Sequence, residues 1–258
     1  MNQAGQRSCL YCFYRRAAER NVSARLAASR VRVSSLLDLF DSENGAHAMI
    51  KTDGIILDID GTLWDSTCLV AKAYKKSFNA HGIDEKRVSP DKLKGLFGRP
   101  MDEIFDELLS DIPEDIRRDA QMKAISLEDG ILLNDPCDIF FPGVTETIKT
   151  LSEKKRLFIV SNCQKGYIEL VMEKGKFKDF ITDFECFGNN GLTKAENIRL
   201  VIKRNELKSP VYVGDTEGDR LSCKEAGIPF IFASYGFGSP LYFDEKIDSF
   251  TDLALILE

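Results

Sequence analysis

Short apolar runs alternate with helix-like patterns through most of the chain. Five of these runs have the length and the flanking residues of strands, namely residues 54–59, 156–161, 183–187, 211–214 and 229–233. Apolar runs of this length that are bounded by turn residues are typical of buried strands, and their alternation with helices is typical of βαβ units. The pattern therefore predicts an α/β fold, a Rossmann-like core with a mostly parallel sheet.

The interval between the first and second strands has no good strand signal and indicates helices instead. Apolar residues recur there at helical spacing in three segments, which are residues 66–82, a segment that starts at Pro100, and about 113–130. The predicted apolar face of the third segment consists of Ile116, Ala120, Ala124 and Leu127. An all-helical insertion after the first strand predicts a small second domain over the carboxyl edge of the sheet, where open α/β sheets bind ligands.

The first 48 residues differ in composition from the rest. They contain seven Arg, no Lys and four acids, which gives a net charge of +3. Since the whole chain has a net charge of −6, residues 49–258 carry −9. Arg-rich, acid-poor segments occur in organelle transit peptides, but a vector leader or an upstream start fits equally, and Met49 just before the first strand favours that interpretation. We therefore predict a leader of residues 1–48, a core of residues 49–65 and 141–258, and a helical cap of residues 66–140.

Composition limits the partners and the compartment. The acidic body of the chain argues against nucleic acid as a partner. Seven cysteines without the spacing of a disulfide framework favour a reducing cytoplasm. The CxxC at residues 9–12 has no second pair and no nearby His, so we assign no zinc or redox site to it. No apolar run approaches the roughly 18 residues that span a bilayer, so we expect a soluble cytoplasmic protein without a membrane partner.

Two carboxylates follow the first predicted strand in the stretch GIILDIDGTLWDS. Side chains two residues apart point to the same side of an extended segment, so Asp58 and Asp60 crowd each other. Crowded carboxylates either share a proton or recruit a cation. A purely structural interpretation is also open, in which Asp60 and Gly61 form a turn and Ser66 caps the next helix.

Later strands also end in polar residues. Ser161 and Asn162 close the second strand, Lys194 precedes an amphipathic helix, and Asp215 and Asp219 follow the strand VYVG. Each residue alone has an ordinary explanation as a helix cap or a solvated side chain. Together they converge on one edge of the predicted sheet, and this convergence favours a functional site.

In chain order, the motifs DIDGTL, VSN, the Lys of LTKAEN and GDTEGD resemble the four motifs of the haloacid dehalogenase superfamily, in particular its capped phosphatases. The resemblance covers residues 50–258, and Ala195 departs from it where relatives often have proline. It implies a Rossmann-like core, Mg²⁺, and hydrolysis of a phosphate ester through an aspartyl-phosphate. The stretches DGTLWDS and LKGLFGRPMDEIF are most similar to the phosphoglycolate phosphatase and β-phosphoglucomutase branches.

The resemblance also implies a role for each motif residue. Asp58 is the implied nucleophile, and Asp60 is the implied general acid and base. The implied metal ligands are Asp58, the Asp60 backbone carbonyl and Asp215; the implied phosphate-binding residues are Ser161, Asn162 and Lys194; the supporting residues are Gly61, Thr62 and Asp219. In the cap, Arg99 and Lys94 are candidates for binding a second anionic group of the substrate.

Three other functions are weighed against a phosphatase of a small phosphorylated metabolite. A phosphosugar mutase uses the same motifs and returns the phosphoryl group to the substrate instead of to water. A dehalogenase is disfavoured, because carbon–halogen displacement needs neither Mg²⁺ nor an acid at Asp60. An inactive binding protein with this fold is expected to have lost at least one charged residue of the motifs. All of them are present, so this function is ranked last; they are Asp58, Asp60, Lys194, Asp215 and Asp219. The oligomeric state, monomer or dimer, stays open.

Overall fold

The structure, a computed structural model, describes residues 49–257. The predicted leader, with its CxxC pair, lies outside this range. All five predicted strands are present, as β1 Gly54–Leu57, β2 Arg156–Ser161, β3 Asp183–Cys186, β4 Pro210–Gly214 and β5 Phe230–Ala233. A sixth strand, β6 Glu245–Ile247, was not predicted, because three residues that include two charges give no apolar run.

The six strands form one parallel sheet in the order β3-β2-β1-β4-β5-β6. The predicted Rossmann-like α/β fold is thereby confirmed. The central strand β1 is completely buried between β2 and β4, which explains its continuous apolar run. Because all strands point the same way, the residues that follow β1, β2 and β4 meet at one edge, and the Asp58 N–H there donates to the Val213 carbonyl at 2.9 Å.

The regular elements between β1 and β2 are helices, as the sequence predicts. The first four are α1 Thr67–Ala80, α2 Pro90–Lys94, α3 Met101–Leu108 and α4 Glu114–Asn134; we call the segment Thr67–Asn134 the helical insertion. The helix α5 Val144–Ser152 also precedes β2. The helices after β2 are α6 Tyr167–Gly175, α7 Phe187–Asn190, α8 Lys194–Arg204, α9 Glu217–Ala226 and α10 Leu253–Ile256. The limits of a separate cap domain at residues 66 and 140 stay a prediction.

Aromatic packing joins the helices of the insertion. The Phe105 ring of α3 lies 4.8 Å from the Tyr74 ring and 6.1 Å from the Phe78 ring of α1, measured between centroids. The Ser77 hydroxyl donates to the Ala120 carbonyl at 2.6 Å and ties α1 to α4. Within residues 49–257, no helix has both the length and the hydropathy that a membrane span requires.

The predicted apolar face of α4 is partly wrong. Ile116 is 38% exposed, and the residue that continues the buried stripe after Ala120 and Ala124 is Glu128 rather than Leu127. Residues four apart share one face of a helix, so the spacing from Ala120 and Ala124 carries the acid inward. A glutamate at such a position is not part of an apolar pattern, so the sequence analysis did not single out Glu128.

Candidate active site

One lysine lies between two carboxylates at the carboxyl edge of the sheet. The Nζ atom of Lys194 is 3.1 Å from Asp58 Oδ1 and 2.6 Å from Asp219 Oδ1. All three residues are at most 3% exposed. Burial opposes the charge of Lys194, but the two carboxylates outweigh it and hold the lysine pKa above its ordinary value. The lysine therefore stays charged, and it neutralises one of the acids beside it.

A tight turn after β4 fixes Asp219 and one further acid, Asp215. The Thr216 hydroxyl donates to Asp219 Oδ2 at 2.6 Å, and the Asp219 N–H donates back to Thr216 Oγ1 at 3.1 Å, so that Thr216 caps α9. Asp215 Oδ2 accepts from the Phe237 N–H at 2.7 Å. A Cβ atom on Gly214 would lie 2.7 Å from Asp219 Cγ, so the close approach of this carboxylate requires glycine.

Three buried acids form a candidate metal site. Asp58, Asp215 and Asp219 each place a carboxylate oxygen within 4.8 Å of the other two. Asp215 Oδ1 is buried and has no hydrogen-bond partner within residues 49–257. Burial, together with the neighbouring carboxylates, holds the pKa of Asp215 well above its ordinary value. A hard divalent cation binds carboxylate oxygens and would satisfy this unpaired atom, so the residues fit such an ion.

Within this cluster, Asp58 and Asp215 are the better ligands. The two oxygens of Asp219 already accept hydrogen bonds, Oδ1 from Lys194 and Oδ2 from Thr216. Burial raises the pKa of Asp58 to about 7 against the opposing effect of Lys194. Asp219 is therefore placed to orient the lysine.

Three hydrogen-bond donors hold the carboxylate of Asp60. Its Oδ1 atom accepts from Trp64 Nε1 at 2.8 Å, the Ser66 hydroxyl at 2.6 Å and the Tyr167 hydroxyl at 3.0 Å. Burial raises the pKa of Asp60 to about 6, although these hydrogen bonds lower it. A carboxyl group with this pKa can release and take up a proton near neutral pH.

Sequence reasoning missed this set of donors. Trp64 is fully buried, as is usual for a large aromatic residue, and its indole N–H is one of the donors. Ser66 was expected to cap α1, but its side chain makes no capping bond and donates to Asp60 instead. Nothing in the sequence connects Tyr167 to Asp60, because 107 positions separate them.

Backbone geometry shapes the loop after Asp60. Gly61 has a φ of +83°, and a Cβ atom there would overlap the Asp215 carboxylate, so the position requires glycine. The Thr62 hydroxyl, expected to brace the loop, is buried without a hydrogen-bond partner in the described part of the chain. The loop is held instead through the Thr62 backbone, whose carbonyl accepts from the Tyr235 hydroxyl at 2.9 Å.

A small pocket lies over the two acids of the first motif. Its free volume is about 40 Å³, room for roughly three water molecules by the same measure. Its floor includes Asp58 and Asp60. The walls contain Tyr74, Arg99, Met101 and Glu128 from the helical insertion, and Ser161, Asn162, Gln164 and Tyr167 from β2 and the segment after it.

The structure separates the two cap candidates. Arg99 lines the pocket, and its Nη1 lies 2.6 Å from Glu107 Oε2. Lys94 is not among the residues that line it; its Nζ lies 3.4 Å from Asp65 Oδ2. Asn162 lines the pocket and also joins it to the insertion, because its Nδ2 donates to the Gly98 carbonyl at 2.7 Å.

Comparison with known proteins points to one family. The family model described as haloacid dehalogenase-like hydrolase matches residues 55–233. A phosphoglycolate phosphatase of Aquifex aeolicus is 26% identical over 189 residues, which are 71% of this chain and 85% of the relative.

Solved structures share the fold at low sequence identity. A crystal structure of a predicted phosphoglycolate phosphatase from Haemophilus somnus matches with a TM-score of 0.70 at 18% identity, over 78% of this chain and 96% of that one. CbbY from Rhodobacter sphaeroides, crystallised with phosphate, matches with a TM-score of 0.66 at 18% identity, over 80% of this chain and 99% of that one.

The cluster of acids predicts a stabilising response to Mg²⁺. We expect millimolar Mg²⁺ to raise the thermal midpoint of the wild-type protein relative to EDTA, because a ligand that binds only the folded state stabilises it. Asp215→Asn keeps an oxygen for the Phe237 N–H but removes a metal ligand, so the rise should be abolished. Asp111→Asn, a change in an exposed ion pair with Arg87, should keep the full response. An undiminished rise in Asp215→Asn would contradict the assignment.

The raised acid pKa values predict how stability depends on pH in EDTA. Burial holds the pKa of Asp58 at about 7, of Asp60 at about 6 and of Glu128 at about 8, whereas unfolded carboxyl groups titrate near pH 4. Between about pH 5 and 8 the folded state therefore binds more protons than the unfolded state, and the free energy of unfolding falls as pH rises. Urea unfolding at pH 5, 6.5 and 8 measures this fall, and a rise across the window would contradict it.

Proposed function

Because this chain belongs to the haloacid dehalogenase-like hydrolase family, we propose that it is a Mg²⁺-dependent phosphatase that hydrolyses a small phosphomonoester through an aspartyl-phosphate. The observation that carries the proposal is the charge arrangement around Asp58. This carboxylate lies beside the Lys194 ammonium and close to Asp215, whose buried Oδ1 has no hydrogen-bond partner in the part of the chain that the structure describes. The phosphoglycolate phosphatase relative and the phosphate complex of CbbY support a phosphate ester as substrate.

Asp58 is the nucleophile in this proposal. Lys194 contacts its Oδ1 atom, which leaves Oδ2 to attack phosphorus. The new bond joins an Asp58 oxygen to phosphorus, the ester P–O bond breaks, and an aspartyl-phosphate divides one hard displacement into two easier ones. Asp58, Asp215 and the Asp60 carbonyl would hold Mg²⁺, which when bound offsets the repulsion between the carboxylate and the phosphate.

Asp60 transfers the proton in both steps. Its three donors all contact Oδ1, so Oδ2 is the atom that faces the reaction. In the first step this group protonates the leaving alkoxide, and in the second it takes a proton from the water that attacks phosphorus and releases Asp58 and phosphate. The donors fix the position of the carboxyl group, and burial gives it a pKa suited to both roles.

The remaining pocket residues stabilise the transferred phosphoryl group. The transition state spreads negative charge over three equatorial oxygens, so catalysis depends mainly on positive and hydrogen-donating groups around them. Lys194 supplies the charge, and the Ser161 hydroxyl and Asn162 amide are the nearby polar donors in our assignment. Asn162 has two amide protons, and the hydrogen bond to Gly98 uses one of them. We extend the proposal to a cap of residues 66–140 that covers this site, with Arg99 at its rim.

The first test of the function is release of inorganic phosphate from phosphoglycolate, sugar phosphates, nucleotides and p-nitrophenyl phosphate. We expect release with Mg²⁺, none with EDTA, and none with Asp58→Asn, because an amide oxygen does not attack phosphorus. Asp111→Asn is the matched control and should match wild type. Activity retained by clean Asp58→Asn protein would contradict the nucleophile assignment. Isomer interconversion without phosphate release would identify the phosphosugar mutase instead.

A second test separates the two proton transfers of Asp60. Asp60→Asn should lower kcat for alkyl phosphates by about 100-fold or more, because an amide cannot protonate the leaving alkoxide. p-Nitrophenolate leaves without protonation, so this variant should still form the phosphoenzyme and release a burst of about one nitrophenolate per active site. Rapid-mixing absorbance measures the burst. Steady turnover of p-nitrophenyl phosphate at the wild-type rate would contradict a role for Asp60 in the second step.

A further inference from the structure

A buried acid of the helical insertion lies in the wall of the pocket and has no role in the chemistry described above. Glu128 of α4 is 2% exposed and lines the same pocket as Asp58 and Asp60. Its Oε1 atom accepts from Gln164 Nε2 at 3.1 Å. Its Oε2 atom is buried and has no hydrogen-bond partner within residues 49–257. A buried unpaired oxygen of this kind is uncommon and is destabilising unless something else satisfies it.

The surroundings of Glu128 contain no compensating positive charge. No lysine or arginine of the described chain forms an ion pair with it, and the charged groups that act on it are the acids Asp60 and Asp129. Tyr74 and Tyr167 are near enough for the acid to raise the pKa of both phenols. Burial, supported by the two acids, raises the pKa of Glu128 to about 8. This carboxyl group is therefore mostly protonated at pH 7.

On the premise that the proposed phosphatase function holds, we infer that Glu128 binds a hydroxyl group in the alcohol portion of the substrate. The substrate class is then a small phosphate ester of a polyol or sugar. The unpaired Oε2 atom is the contact point, and Gln164 holds the other oxygen in place.

A hydroxyl group fits these observations better than the alternatives. A hydroxyl group can donate to Oε2 when Glu128 is ionised, and it can accept from the carboxyl group when Glu128 is protonated. It therefore forms a hydrogen bond with Glu128 in both protonation states. A methyl terminus would leave Oε2 unpaired. A carboxylate terminus, as in phosphoglycolate, would bring a negative charge to two acids of the pocket, Asp60 and Glu128, and Arg99, which lines this pocket, is already paired with Glu107.

A merely structural role for Glu128 is the competing explanation. In that case the acid would only join α4 to the segment after β2 through Gln164, and its replacement would change stability without changing selectivity. Selectivity between substrates that differ in one terminal group separates the two explanations, because a loss of folded protein affects all substrates equally.

The test measures dissociation constants of two-carbon phosphate esters that differ only at the terminus, which are ethyl phosphate, 2-hydroxyethyl phosphate and phosphoglycolate. Calorimetry with Mg²⁺ in the Asp58→Asn background prevents turnover. We expect 2-hydroxyethyl phosphate to bind about tenfold more tightly than ethyl phosphate. Glu128→Leu should remove this difference, and Glu128→Gln, which keeps the size and one acceptor, should retain part of it. Glu114→Leu, at an exposed site on the same helix, is the matched control and should retain all of it.

Two results would overturn the inference. One is that the ratio between the dissociation constants of 2-hydroxyethyl phosphate and ethyl phosphate is the same with and without the Glu128 side chain, or that neither ester binds. The other is a preference for phosphoglycolate that survives Glu128→Leu. A wild-type protein that releases no phosphate contradicts the phosphatase function separately, because the ratio of dissociation constants does not depend on turnover.

Discussion

The buried ammonium group of Lys194 between Asp58 and Asp219 is the interaction on which the rest of the site depends. The three carboxylates of the cluster and the ammonium group carry a formal charge of −2, and all four residues are at most 3% exposed. Removing one partner of a buried ion pair is destabilising by about 3–5 kcal/mol. The end of β1, the first turn of α8 and the cap of α9 are therefore held together, and a divalent cation would balance the remaining charge.

The crowding of the buried carboxylates also determines where the chain requires glycine. Gly214 lies against the Asp219 carboxylate, and Gly61 and Gly236 lie against Asp215, so that a Cβ atom at any of them would overlap the acid. Glycine at positions 61 and 236 lets two separate loops approach the Asp215 carboxylate. Asp215 is thus enclosed on two sides, which explains how an oxygen that has no hydrogen-bond partner among the described residues can be buried there.

Sequence patterns predicted the sheet and the meeting of the acids at one edge for one physical reason: all strands of a parallel sheet point the same way, so their carboxyl ends lie at the same edge. Contacts that depend on how remote segments pack were not predictable in this way. Tyr167 on Asp60 and Gln164 on Glu128 join segments 107 and 36 positions apart. Glu128 was also hidden by its type, since glutamate on a helix usually indicates a solvated face, and β6 was too short to give a pattern.

The acids of the first motif lie between groups of opposite character. The Lys194 ammonium is 3.1 Å from Asp58, whereas the buried acid Glu128 lines the pocket that Asp58 and Asp60 also line. An ammonium group attracts an anion and an acid repels it. In the proposed function the phosphoryl group therefore lies toward the lysine and the alcohol portion of the ester toward Glu128, so that a monoester with a neutral alcohol portion has one preferred orientation.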